Sequence, residues 1–370
     1  MQISVQLSVP TTTARCQHYT MKRIARFVGA GLPLLVLSSC IGSPLPNATT
    51  SAENFGANAA PAAPAWARGT ASRPLRRVAA PDTAKRGIYV GSFEGTSIYG
   101  FNNNYRRGYG PMCTLYTGQV FINGIAADLS GNLIVPQSNG SWVKIYQGPD
   151  MCGSLLGSFK DPYGQPANAA SFNAATGTIA VVDIDGRHSA PHGNLAICSL
   201  SGCTQKLEPK FAGYATGVAL AKNGDCWLVT ENRTFTGAGM TYWRGCKGSG
   251  KLVTRFKNKS YGGLSIDKQG NLVSIDFKGG TAGQLWVYSG CNPTCTVVGG
   301  PFSLSGQPFF GGLNAKGDRF GTIESEFPYG GTVDIYKYTP TKVTYEYSFD
   351  SGFAPVAECE GFAYSPSLEQ

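Results

Sequence analysis

Four carboxylates recur at nearly the same place in a repeated phrase: Asp183 ends "AVVD", Glu231 ends "LVTE", Asp276 ends "VSID" and Glu324 ends "GTIE". The fifth copy of the phrase ends at Gln137. Carboxylates gathered around one mouth repel each other, so their pKa values rise or they hold a divalent cation such as calcium or zinc. His188, in "DIDGRHSAPHGN", adds a nitrogen ligand beside Asp183 and Asp185. His192 follows four residues later, but Gly and Pro in this segment exclude a zinc-binding helix. A second reading stays open: the acids cap strand ends and accept hydrogen bonds from loop amides. Asp183 and Asp276 fall six residues after a glycine, Glu231 and Glu324 seven. A one-residue slip reverses a side chain's face unless a bulge absorbs it. Glu326, Glu358 and Glu360 belong to neighbouring loops of the same expected face.

Other chemistries find little support. No Gly-x-Ser-x-Gly nucleophile elbow occurs. His188 and His192 leave no general base on a separate element. "GCKGSGKL" (Gly245–Leu252) imitates a phosphate loop, but it ends in Leu252 instead of Ser or Thr and falls in a predicted hairpin. No catalytic residue is assigned. From Gly87 to the end, 21 basic and 20 acidic residues nearly cancel, so all but one unit of the +9 net charge sits on the N-terminal segment. That distribution argues against a nucleic-acid partner.

The acids are positioned by a repeat. Turn glycines occur in "ADLSGNLIV" (Gly131), "NAATGTIAVV" (Gly177), "LAKNGDCWLV" (Gly224), "IDKQGNLVSI" (Gly270) and "LNAKGDRFGTI" (Gly317), at steps of 46, 47, 46 and 47 residues. Each joins two alternating runs, a hairpin signal. Third strands follow ("SWVKIYQ", "GNLAICSL", "MTYWRGC", "GQLWVYS", "GTVDIYKY"), then fourth strands such as "KLVTRFK" and "VTYEYSF". Four strands per repeat is the length of a propeller blade. "GIYVGSFEGTSIYGF", from Gly87, matches second and third strands; "EGFAYSP", near the C-terminus, matches a first strand. The expected fold is therefore all-β, a six-bladed β-propeller over 87–370 with four-stranded blades, the C-terminal strand completing the first blade. A two-sheet sandwich does not explain the period. Trp142, Trp227, Trp243 and Trp286 fall inside strands and are expected to pack between blades.

The phrases "GIAADLSGNLIV" and "GLSIDKQGNLVS" resemble the six-bladed NHL and gluconolactonase/regucalcin-like propellers. The resemblance covers the whole folded region and implies architecture. It also implies that the acids could form the acidic metal site of the gluconolactonase-like family, acting on a lactone or a similar carbonyl compound.

Of eleven cysteines, Cys198 with Cys203 and Cys291 with Cys295 bracket short hairpins, and Cys226 and Cys246 are expected to face each other. Three disulfides are predicted, leaving Cys113, Cys152 and Cys359. "MKRIARFVGAGLPLLVLSSC" from Met21, the expected start, has a basic opening and a short apolar core. Its end, Leu37-Ser38-Ser39-Cys40, resembles the lipobox of bacterial lipoproteins, which implies acylation of Cys40 and membrane anchoring. Ile41 in place of Asp implies the outer membrane. Residues 1–40 are thus read as leader and 41–86, rich in Ala and Pro, as a disordered tether reaching roughly 35–40 Å. The expected product is a monomeric, lipid-anchored module binding an envelope protein or small ligand through loops 184–193, 231–239, 306–312 and 324–331. The alternatives are a metal-dependent hydrolase or lyase and a purely structural envelope protein.

Overall fold

The structure, a computed structural model, describes residues 87–365 apart from 93–95, 103–110, 118–121, 123, 129, 138–140, 148–152, 174, 187–192, 233–236, 258–260, 278–281, 293, 325–330 and 352–358. Cys40, Cys152, His188, His192, Glu326 and Glu358 therefore lie outside the described residues, as do the side chains of Cys359 and Glu360.

The chain forms six separate four-stranded antiparallel sheets. Blade 1 begins with β1 (Gly87–Ser92), β2 (Ser97–Asn102) and β3 (Cys113–Tyr116). Blade 2 contains β4 (Ala126–Ala127), β5 (Leu133–Gln137), β6 (Trp142–Tyr146) and β7 (Leu155–Lys160). Blade 3 contains β8 (Gly164–Asn173), β9 (Thr178–Gly186), β10 (Asn194–Ser199) and β11 (Gly202–Leu207). Blade 4 contains β12 (Tyr214–Leu220), β13 (Cys226–Glu231), β14 (Gly237–Trp243) and β15 (Lys251–Lys257). Blade 5 contains β16 (Tyr261–Ile266), β17 (Leu272–Asp276), β18 (Gln284–Ser289) and β19 (Thr296–Ser303). Blade 6 contains β20 (Pro308–Leu313), β21 (Arg319–Glu324), β22 (Thr332–Thr339) and β23 (Lys342–Asp350). Finally β24 (Cys359–Ser365) pairs with β1, Tyr364 opposite Ile88 and Phe362 opposite Val90, and becomes the inner strand of blade 1. The expected six-bladed ring and its closure are both present.

The five repeat glycines all adopt positive φ, between 60° and 89°, which only glycine takes without strain. The turns also staple neighbouring blades. Asp267 accepts the N–H groups of Gln269 (2.9 Å) and Asn271 (2.8 Å), and the Tyr338 hydroxyl donates to it from blade 6 at 2.9 Å. Asn173 donates to the Ala221 carbonyl of the next blade at 2.6 Å. Ser365 donates to the Gly131 carbonyl at 2.9 Å, joining the last strand to blade 2.

Between these turns and the opposite rim, adjoining blades bury apolar faces against each other. Ile88, Val90, Phe101, Phe362 and Tyr364 of blade 1, for example, pack with Ile323, Val333, Ile335 and Phe349 of blade 6. Each such side chain contributes about 1.5–3 kcal/mol when fully buried. Trp243 is buried, and Trp227 and Trp286 pack on the cluster between blades 4 and 5. The pairs Cys198–Cys203, Cys226–Cys246 and Cys291–Cys295 are disulfides. Cys246 belongs to a 3-10 turn, Arg244–Cys246, and not to a strand. Cys113 is also disulfide-bonded.

Candidate functional site

The face carrying the second-to-third-strand loops is shaped by bulges in the inner strands. The register shifts at Ala167/Ala169 in β8, Ala215/Gly217 in β12, Tyr261/Leu264 in β16 and Pro308/Gly311 in β20, all beside the channel mouth. Bulges re-aim side chains. In β20 the bulge holds Phe309 and Phe310.

Phe310 crosses the axis. It shares a buried cluster with Ala169 of β8 and with Ala215 and Val218 of β12. A Cβ placed on Gly124, just ahead of β4, would fall 2.7 Å from the Phe310 ring, and one on Gly263 of β16 would fall 3.2 Å from it. The ring is 5% exposed. Phe310 thus plugs the channel, and residues 306–312, expected as a loop, are mostly inner strand. Behind the plug lies a cavity of about 100 Å³, lined by three consecutive residues from each inner-strand segment, Gly311–Leu313 and Phe362–Tyr364 among them. Above it, half-buried Phe309 pairs with half-buried Phe277 at a centroid distance of 4.0 Å.

The four acids do not ring this mouth. The second strands carry no bulge in their pairing with the third strands, so the uneven spacing takes full effect. Asp183 shares its strand face with Ile179 and Val181, directed toward blade 2. Asp276 follows Leu272 and Ser274 toward blade 4, whereas Glu231 follows Val229 toward blade 5. Glu231 and Asp276 therefore share one seam, while Asp183 and Glu324 occupy two others. Asp183 and Glu231 are 0% exposed and Asp276 7%, and none of the four lines the central cavity. Asp183 also falls inside β9 instead of at a strand end.

A divalent cation does not fit these residues. Among the described residues, the single group of three ligand-type side chains within 4.8 Å of one another is Asp161, Cys198 and Cys203, and its two sulfurs form a disulfide. The expected metal set of Asp183, Glu231, Asp276 and Glu324 is thus divided among seams, and no metal-dependent step follows from it.

Glu324 does have a partner that the sequence reading missed. Asp334 of β22 is 2% exposed, and its carboxyl is pushed up to about 7 by burial, then by the charge and hydrogen bond of Glu324. Two carboxyls share a hydrogen bond only when one keeps its proton. Gly306, at φ 59°, packs against the Glu324 carboxylate, where a Cβ would come within 2.3 Å of its carboxyl carbon. Tyr336 accepts the Ser305 N–H at 2.7 Å beside them. The available signal was a lone acid at an inward-facing position of "GTVDIYKY".

The pH consequence has a definite sign. The folded carboxyl binds its proton more tightly than an unfolded Asp, whose value is 3.8. Stability therefore falls as pH rises from about 4 to about 7, then levels off. Asp334→Asn, which keeps a hydrogen-bond donor without charge, is expected to be more stable than wild type by about 1–3 kcal/mol at pH 8, and to show no gain at pH 4. Urea melts at the two pH values check this; an equal effect at both would exclude a shared proton.

No protein-family model matches the chain, and no curated protein matches it. The class defined by the strands is the six-bladed β-propeller, and comparison of folds agrees. A protein of unknown function from Bacteroides caccae matches with a TM-score of 0.53 at 11% identity, over 76% of this chain and 99% of its own. A hypothetical selenium-binding protein from Sulfolobus tokodaii matches at 0.52 with 8% identity, over 77% and 96%. A protein from Lactobacillus plantarum matches at 0.50 with 12% identity, over 75% and 99%. At such identities the likeness is one of fold alone.

Proposed function

We propose that the protein is an exported, lipid-anchored binding module, held to the outer membrane through Cys40 and the 41–86 tether, which engages an envelope protein or small ligand with its loop face. The observation that carries this reading is the Phe277–Phe309 pair above a plugged channel: aromatic surface, half-exposed, on a rigid closed ring. Aromatic anchors of this kind concentrate binding energy at interfaces. The separated acids supply no convergent catalytic set beside it, which favours binding over hydrolysis. The leader and its lipobox-like end support the anchoring.

The test is capture from an envelope extract by immobilised protein. Wild type is expected to retain a partner that a Phe277→Ser/Phe309→Ser double variant retains at least about tenfold less well, the scale of a lost hot spot. Phe310 is left intact, since as a plug it reports on folding. Equal capture by both proteins excludes this face.

A further inference from the structure

The opposite face of the ring, which carries the first-to-second-strand turns, holds an open cleft of about 750 Å³ between blades 4 and 5. Its walls come from three turns. Asn223 and Asp225 belong to the β12–β13 turn, Arg244 and Lys247 to the β14–β15 turn, and Asn292 to the β18–β19 turn.

The cleft is held from within. Tyr242 forms its floor, donating to Asp225 at 2.9 Å and accepting from Asn292 at 2.7 Å across the seam. Asp225 also accepts the Gly245 N–H at 2.7 Å and the Asn223 amide at 3.0 Å. Gly245 has φ 61°, so the turn that presents Arg244 and Lys247 requires glycine there. Trp227 donates to the Cys291 carbonyl at 2.9 Å, a second link across the same seam. The disulfides Cys226–Cys246 and Cys291–Cys295 tie down one wall each.

Two cations remain on this preorganised frame. Arg244 and Lys247 are exposed, and neither side chain makes a hydrogen bond or ion pair among the described residues. They outnumber the one carboxylate of the cleft, which braces the turn and floor through three hydrogen bonds and keeps one acceptor position. The "GCKGSGKL" segment thus has no phosphate-loop architecture, since it joins two antiparallel strands, yet it places Lys247, with Arg244 just ahead of it, at a concave surface. Cations suit an anionic group, and the amides of Asn223 and Asn292 with the Asp225 oxygens suit hydroxyls.

We propose that this cleft binds a hydroxylated anion, a sugar acid or sugar phosphate, with Arg244 and Lys247 on the charged group and Asn223, Asn292 and Asp225 on the hydroxyls. The site is separate from the loop face and does not depend on it.

The probes are glucuronate, glucose 6-phosphate and uncharged glucose, titrated calorimetrically into the full chain. At least one of the two anions is expected to saturate, with glucose about tenfold weaker or more, as one charge-assisted hydrogen bond implies. Arg244→Ala/Lys247→Ala is expected to weaken the anion at least about tenfold while leaving Tm unchanged, because both side chains are exposed. Phe309→Ser is expected to leave binding intact, which keeps the two sites distinguishable. The proposal is overturned if neither anion saturates by about 50 mM, if glucose binds equally, if the double variant binds like wild type, or if Phe309→Ser abolishes binding.

Discussion

A chain ending at Ser351, which lacks β24, is expected to lose its cooperative thermal transition. The reason is topological. Without that strand β1 has no inner partner, and its unpaired edge faces the axis. Phe362 and Tyr364 leave the cluster joining blade 1 to blade 6, and the Ser365 link to Gly131 is lost on the other side. Both neighbours of blade 1 are loosened by one deletion. A gentler variant isolates packing from closure. Phe362→Ala keeps every backbone pairing but removes a buried ring that packs closely on Gly321, and it is expected to cost about 3–5 kcal/mol. At roughly 2–4 °C per kcal/mol, Tm falls by about 10 °C. Calorimetry decides both. A truncated chain that still melts cooperatively within about 2 °C of wild type would show that the ring does not depend on its terminal strand.

The ring was legible because its signals are local and repeated. A positive-φ glycine, an alternating run on either side and a step of 46 or 47 residues need no knowledge of distant contacts. Closure followed from counting, since the chain starts on a second strand and returns with a first. The three hairpin or turn disulfides were legible for the same reason.

The site was less legible because it depends on which face of a strand each residue takes. Glu231 and Asp276 close similar phrases, but one lies seven residues after its glycine and the other six. In strands without a bulge on the third-strand side that difference turns them in opposite directions, and so into the same seam. Bulges do occur, in the inner strands and again where third strands pair with fourth, and no periodic signal marks them. The "SGQPFFGG" segment read as a loop for this reason: its small residues permit a bulge, and the bulge carries Phe310 across the axis. Asp334 went unnoticed because its partner Glu324 is on another strand, and sequence spacing shows no pairing across strands.

Phe310→Ala is expected to open the channel and to create a binding site for a small apolar molecule. The ring contacts inner-strand segments from several blades, so its removal joins the space it fills to the cavity of about 100 Å³ behind it. Truncating a buried Phe costs about 3–5 kcal/mol, and the cost is highest where the walls cannot collapse. Here collapse is resisted, because each inner strand is fixed by pairing within its own blade. The wall of the adjoining cavity is more polar than apolar, whereas the space that the ring itself leaves is bounded by the apolar Ala169, Ala215 and Val218. An apolar void of this kind stays dry and accepts benzene. Tm is therefore expected to fall by about 10 °C and to recover in part when benzene is added, whereas wild type should not respond. Phe309→Ala serves as the control, since its ring is half-buried outside the plug and its loss should give neither the full drop nor the rescue. Equal losses for the two variants, with no benzene effect, would mean that the channel closes by rearrangement of the inner strands and that Phe310 is not what keeps it shut.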